Sequence, residues 1–204
     1  MKNNPASAPD PGVVVRRDPD AMLLRALEQW GGRSDLWIFA YASLIWRPEF
    51  EFSEQRSARV HGYHRSLKMW SRVNRGTPEC PGLVFALLPG GSCKGVVYRV
   101  PRQQAPDTLR TLWHREMPNG VYDPKWLACQ TGQGAVSALA FTLPKSSPNY
   151  TGPLEESQLR QVFSMSCGRY GTTRDYAQQT FKCLCQVGIH DHELERVLRL
   201  AGAH

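Results

Sequence analysis

Runs rich in β-branched and aromatic residues crowd positions 36–143, while helix-start signals gather after residue 150, with one helix-like stretch inserted near Pro106. This order constrains the fold most, because a doubly wound sheet needs strand and helix to alternate. Residues 36–41 form a short run bounded by polar residues and read as a buried strand. Positions 58–71, 83–88, 95–100, 122–129 and 135–143 read as further strands, and Pro89-Gly90-Gly91 predicts a hairpin between 83–88 and 95–100. The expected class is α+β.

Helix boundaries are marked by residue chemistry. Asp18-Pro19-Asp20 supplies an N-cap, a proline at the first helical position and an acid in the first turn. Met22, Leu23, Ala26, Leu27 and Trp30 then recur at helical spacing until Gly31-Gly32 stops the helix. Further starts fall at Pro106-Asp107, at Pro153 before Glu155 and Glu156, at Thr172-Thr173, and at Asp191 before Leu194, Val197 and Leu198. A chain of 204 residues suits one core. Residues 1–17, rich in Pro, Asn, Ala and Ser, are expected to be a loose tail, with 18–204 as the single domain.

Charge and cysteine content narrow the function classes. The net charge is +7, but no block of five basic residues occurs, so solubility explains the surplus better than nucleic acid does. The first residues carry no apolar run, so no secretory signal is expected, and no stretch is long enough to span a bilayer. Six cysteines without C-x-x-C pairing suit a reducing cytoplasm.

One acid stands out. Leu109, Leu112, Trp113 and Glu116 fall at i, i+3, i+4 and i+7, so Glu116 lines up with the apolar stripe, away from Arg110 and Arg115. A carboxylate there is costly unless it is hydrogen-bonded or functional. Burial and the negative end of the helix both raise its pKa toward the range of a general base near neutral pH. The alternatives are an exposed acid frayed from the helix end, or one paired with a neighbouring arginine.

The end of the first strand is the second unusual place, because small Ala42 and Ser43 sit between bulky Tyr41 and Leu44. A strand turning through small residues can offer successive backbone N–H groups to a carboxylate or an oxyanion. A plain strand end with Ser43 as a cap is the alternative. Other candidates are weaker. Asp191 between His190 and His192 reads as a helix cap before it reads as part of a metal site. Cys183 and Cys185 point apart on a helix, and His61 and His64 face opposite sides of a strand.

At these places the sequence resembles the ChaC-type γ-glutamylcyclotransferases. The run from Trp37 through Phe39, Ala40, Tyr41, Ala42, Ser43 and Leu44 to Trp46 resembles their Y-G-S-L substrate segment, and Trp113-His114-Arg115-Glu116-Met117 resembles the stretch with their catalytic glutamate. Arg75-Gly76-Thr77 with Pro81-Gly82 resembles their R-G-T…P-G loop. Gly168 to Gly171, followed by Asp175-Tyr176, resembles their G-P-S-G…E-Y-L block. The blocks keep their order from about Trp37 to Leu198.

The resemblance implies a small mixed β-barrel with flanking helices and cleavage of glutathione to 5-oxoproline and cysteinylglycine. Glu116 would be the general base and acid, the amides from Phe39 to Leu44 would grip the glutamyl part, and Tyr176 would be a polar wall. It implies a small γ-glutamyl substrate and no metal, cofactor, nucleic acid or membrane partner. Three departures stand out: Ala42 replaces Gly, Leu83 replaces Arg, and Arg169-Tyr170 replaces Pro-Ser. They bear on turnover and substrate choice more than on reaction class. Another γ-glutamyl amine or dipeptide as substrate, or a non-catalytic binding module, are the competing readings.

Overall fold

The computed structural model describes residues 17–202. Helix α1, Pro19–Trp30, starts where Asp18 accepts from the Asp20 and Ala21 amides and stops at Gly31, whose φ of 71° suits glycine. Strand β1, Leu36–Ala40, follows, buried along almost its whole length. A one-turn helix α2, Ser43–Trp46, comes next; the sequence reading had only a turn there. The expected tail lies outside the described residues except for Arg17, which pairs with Asp123.

Two long strands dominate the sheet. Strand β2, Glu54–Ser71, and β3, Gly82–Val100, pair antiparallel from end to end. The predicted hairpin at Pro89-Gly90-Gly91 does not form. Positions 83–88 and 95–100 are consecutive halves of β3, bent where Gly90 and Gly91 take φ of 103° and 70° opposite the Gly62 irregularity of β2. The turn residues bend a continuing ladder because β2 offers a partner on both sides of the break.

That bend lets one strand serve two parts of the barrel. The second half of β3 pairs with β1, from Leu36↔Val100 to Ala40↔Val96. After helix α3, Ala105–Glu116, come strands β4, Asp123–Thr131, and β5, Gly134–Thr142, close to the strands read at 122–129 and 135–143, and these pair antiparallel as a hairpin. The first half of β3 meets β5 in parallel at Leu87↔Thr142, and β1 meets β5 in parallel at Ile38↔Leu139. The result is a closed mixed barrel in the order β1-β3-β2-β4-β5.

Helices flank the barrel. Helix α4, Glu156–Met165, carries a capping box of Glu155 and Gln158 and ends three residues before Gly168. A minimal hairpin, β6 Cys167–Gly168 and β7 Gly171–Thr172, leads into α5, Thr173–Gln186, capped by Thr172 and Asp175. Helix α6, His192–Leu200, has Asp191 as its N-cap, as the sequence predicts. The α+β class and the barrel agree with expectation. All six cysteines are free, and among the described residues no helix is long and apolar enough to cross a membrane.

Candidate active site at the end of the first strand

Glu116 is the last residue of α3, whose Leu109, Leu112 and Trp113 are buried against the barrel, so the helix carries its carboxylate inward. Only 16% of its side chain remains exposed. Burial pushes its pKa up; the adjacent Arg115 guanidinium opposes this and Glu49 adds to it. The site thus holds a carboxyl that keeps its proton to higher pH than usual.

Three buried tyrosines surround this group electrostatically: Tyr41, Tyr122 and Tyr176. Burial pushes each phenol well up, so they stay neutral hydrogen-bonding groups at physiological pH. The Tyr41 hydroxyl donates to the Phe141 carbonyl at 3.0 Å, and Tyr122 shares a side-chain hydrogen bond with Tyr41. The Tyr176 hydroxyl accepts from the Phe85 amide at 3.3 Å, while its ring packs against Phe85 and Trp46.

Arg115 ties the glutamate to the strand end. Its Nε lies 3.0 Å from Glu116 Oε1, its Nη2 donates to Ser43 Oγ at 3.2 Å, and its Nη1 reaches Glu49 at 3.0 Å and the Arg47 carbonyl. Helical periodicity put Arg115 on the solvent side, but its side chain is only 20% exposed. A long side chain in the last turn folds back over the helix end, where α2 supplies acceptors that the periodicity of α3 cannot reveal. Glu116 therefore meets two sequence readings together: it continues the buried stripe and it is arginine-paired.

The strand-end residues divide into two groups. Phe39 and Ala40 sit within the β1–β3 ladder, opposite Val97 and Val96, with their side chains in the core. Tyr41 and Ala42 form the link, and Ala42 has a negative φ of −145°, so no left-handed turn requires glycine there. Ser43 and Leu44 open α2, whose own bonds use the Ile45 amide to Ala42 and the Arg47 amide to Ser43. The amides of a helix's first turn find no partner within the helix. The Ser43 and Leu44 amides belong to this first turn, not to the β1–β3 ladder.

Arg65 and Glu49 escaped the sequence reading, whereas Arg75 and Gly168 belong to blocks that it matched to the family. Arg65 of β2, 5% exposed in its side chain, donates to the Tyr41 carbonyl at 2.9 Å, to the Lys94 carbonyl at 3.0 Å and to Asp191. The Arg75 guanidinium lies 5.0 Å from the Tyr176 ring centroid and donates to the Tyr170 carbonyl. A Cβ on Gly168 would come 2.4 Å from the Gly76 nitrogen, so glycine lets the β6–β7 hairpin close on the Arg75 loop. Glu49, φ 57°, is the one non-glycine residue with positive φ among the described residues, and it faces Arg115.

Asp191 caps α6 by accepting from the Leu194 amide at 2.9 Å. The structure also gathers ligand atoms of His190, His192 and Glu195 within 4.8 Å of one another, a grouping that needed Glu195 and so was not visible in the histidine pair alone.

The family described as ChaC-like protein matches residues 36–203. The glutathione-specific γ-glutamylcyclotransferase of Escherichia coli (strain K12) is 32% identical over 164 residues, 80% of this chain and 71% of that protein. Glutathione-specific γ-glutamylcyclotransferase 1 of Homo sapiens is 32% identical over 209 residues, 99% of this chain and 93% of that protein. A crystal structure of a glutathione-specific γ-glutamyl cyclotransferase from yeast superimposes with a TM-score of 0.74 at 20% identity, covering 83% of this chain and 96% of that one, which shows a shared fold.

Proposed function

This chain belongs to the ChaC-like protein family, and from that premise we propose that it is a cytoplasmic γ-glutamylcyclotransferase acting on glutathione, releasing 5-oxoproline and cysteinylglycine. The observation that carries the reading is a shielded Glu116 carboxyl, its pKa raised by burial, tied through Arg115 to Ser43 at the strand end.

The nucleophile belongs to the substrate. The ionised Glu116 takes a proton from the α-ammonium, and the freed amine attacks the γ-carbonyl carbon to close a five-membered ring. The carbonyl π pair moves onto oxygen, where backbone donors of the Ala42–Leu44 segment stabilise it. Ring closure leaves the ring nitrogen positively charged with two protons. As the oxyanion collapses and the C–N amide bond breaks, Glu116 returns the first proton to the departing nitrogen and, ionised again, takes the second from the ring nitrogen, which ends on the released amine as ammonium. One carboxylate thus serves as base and then as acid. Tyr41, Tyr122 and Tyr176 supply a polar wall that stays neutral.

The test is direct: purified protein is incubated with glutathione, glutathione disulfide and several γ-glutamyl dipeptides, and 5-oxoproline is quantified. Release from glutathione above the others is the expected result. No product from any of them would move the chain to the class of binding modules. The mechanism asks only for one carboxylate and fixed dipoles, so a chelator should leave activity intact; loss on chelation with recovery on zinc would instead implicate His190, His192 and Glu195.

A further inference from the structure

The tip of the β6–β7 hairpin is an arginine-tyrosine pair that the fold does not need for its own closure. The hairpin is held through its main chain: the Arg169 amide donates to the Val73 carbonyl at 2.8 Å, the Tyr170 amide donates to the Asn74 carbonyl at 2.9 Å, and the Arg75 guanidinium donates to the Tyr170 carbonyl. The side chains of Arg169 and Tyr170 add nothing to those bonds. Tyr170 is nevertheless 48% exposed, a large ring left in solvent.

Two cations converge on that ring. The Arg47 guanidinium lies 5.5 Å from its centroid and that of Arg169 lies 5.4 Å away. Negative charge nearby is already engaged: Glu49 is shared between Arg47 and Arg115, and Asp175 interacts with Arg75 and caps α5. Among the described residues Arg169 makes no ion pair with an acid. The rim therefore carries Arg169 without an acidic partner and Arg47 on a glutamate it shares with Arg115, arranged around a flat surface that suits guanidinium stacking.

The rim adjoins the site. The Arg47 carbonyl accepts from the same Arg115 guanidinium that pairs with Glu116, and Arg75 spans from the Tyr170 carbonyl to the Tyr176 ring. The departing half of a γ-glutamyl tripeptide is two residues long and ends in a carboxylate about 7 Å from the cleaved bond when extended. That is about the reach of one arginine side chain.

We propose that Arg47, Arg169 and Tyr170 form the subsite for the terminal carboxylate of the departing half, so that the protein selects γ-glutamyl peptides with a free C-terminal carboxylate over neutral γ-glutamyl amines. This rests on the cyclotransferase reading above. Arginine forks match a carboxylate in geometry and charge, whereas a neutral amide or ester leaves Arg169 without an anion. The sequence position sharpens the assignment, because Arg169-Tyr170 stands where the resembling family has Pro-Ser.

The experiment measures kcat and KM for 5-oxoproline release from glutathione and from its glycine ethyl ester, with wild type, Arg169→Ala, Arg169→Glu and Tyr170→Ser. Wild type should prefer the free acid by about fivefold to tenfold in kcat/KM, expressed in KM. Arg169→Ala should bring the acid-to-ester ratio toward about one, Arg169→Glu should reverse it, and Tyr170→Ser should reduce it. Circular dichroism checks folding, and any one folded variant suffices to decide. Equal use of acid and ester by wild type, or variants that slow both equally, would overturn the subsite while leaving the cyclotransferase reading in place. Absence of 5-oxoproline from both substrates would overturn the two together.

Discussion

Two arginine–carboxylate pairs grip the Tyr41–Leu44 link from different elements, and they differ in how fully the acid is used. In the Arg65–Asp191 pair, the aspartate takes both guanidinium contacts on Oδ2 and the Leu194 amide on Oδ1, while Arg65 anchors the Tyr41 and Lys94 carbonyls. In the Arg115–Glu116 pair, the glutamate meets one guanidinium nitrogen at 3.0 Å, and Arg115 spends its other donors on Glu49, Ser43 and Arg47. A saturated carboxylate fixes backbone. A carboxylate with acceptor capacity left, shielded among neutral tyrosines, is one that can move a proton.

The largest test of this contrast removes the proton acceptor. Glu116→Gln keeps size and hydrogen bonding but cannot take the ammonium proton, so 5-oxoproline release should fall by about 10² to 10⁴ with ligand binding retained. Wild-type rate should rise with pH through a carboxyl pKa shifted above the ordinary glutamate value, because only the ionised form is a base. The stability sign is opposite. A folded-state pKa above the unfolded one means that ionisation weakens folding as pH climbs between the two, so the Gln variant should be no less stable than wild type at neutral pH by thermal unfolding. Near-normal turnover by the variant would erase the distinction between the two pairs.

The Arg65–Asp191 pair should respond in the other currency. Arg65→Met leaves Asp191 without its cation in a side chain only 16% exposed and frees the Tyr41 carbonyl, so stability should drop by about 3 kcal/mol in denaturant titration. A stable variant with slow chemistry would show that Arg65 also acts on the reaction. Arg115→Ala should have a smaller effect: without the nearest positive charge the Glu116 pKa climbs further, so the rising limb of the rate profile moves to higher pH. The rate at a fixed pH below the limb should fall accordingly, with the plateau at high pH retained. A profile that stays in place would mean that Arg115 positions Ser43 without tuning the acid.

The same contrast explains what was legible in the sequence. Glu116 could be found because a seven-residue return on a helix is a local, periodic property, and the caps at Asp18, Thr172 and Asp191 are local chemistry. The mixed barrel came from the family resemblance, since the α+β class alone leaves the sheet open. Pro89-Gly90-Gly91 was misread as a hairpin because its residues permit both a reversal and a bend, and only the long β2 partner decides between them. Arg65, Arg115 and Tyr122 were not singled out, because each acquires its role from a contact across the fold. Helix α2 is a single turn, too short to show a period.

The smallest expected effect lies between the two pairs, at Ala42. Its neighbours are held from both sides, the Tyr41 carbonyl by Arg65 and the Ser43 hydroxyl by Arg115, and its own carbonyl accepts from the Ile45 amide at 2.9 Å. Because φ is negative, no left-handed turn is imposed at this position. Ala42→Gly should therefore match or slightly improve turnover, since removing a 5% exposed methyl only widens the space beside the strand end. It should cost about 0.5–1 kcal/mol of stability, through the greater freedom of glycine in the unfolded chain. Steady-state kinetics with a parallel urea titration separates the two effects. A loss of turnover beyond about tenfold, with the fold intact, would mean that the methyl itself sets the turn and that the two arginine pairs alone do not hold it.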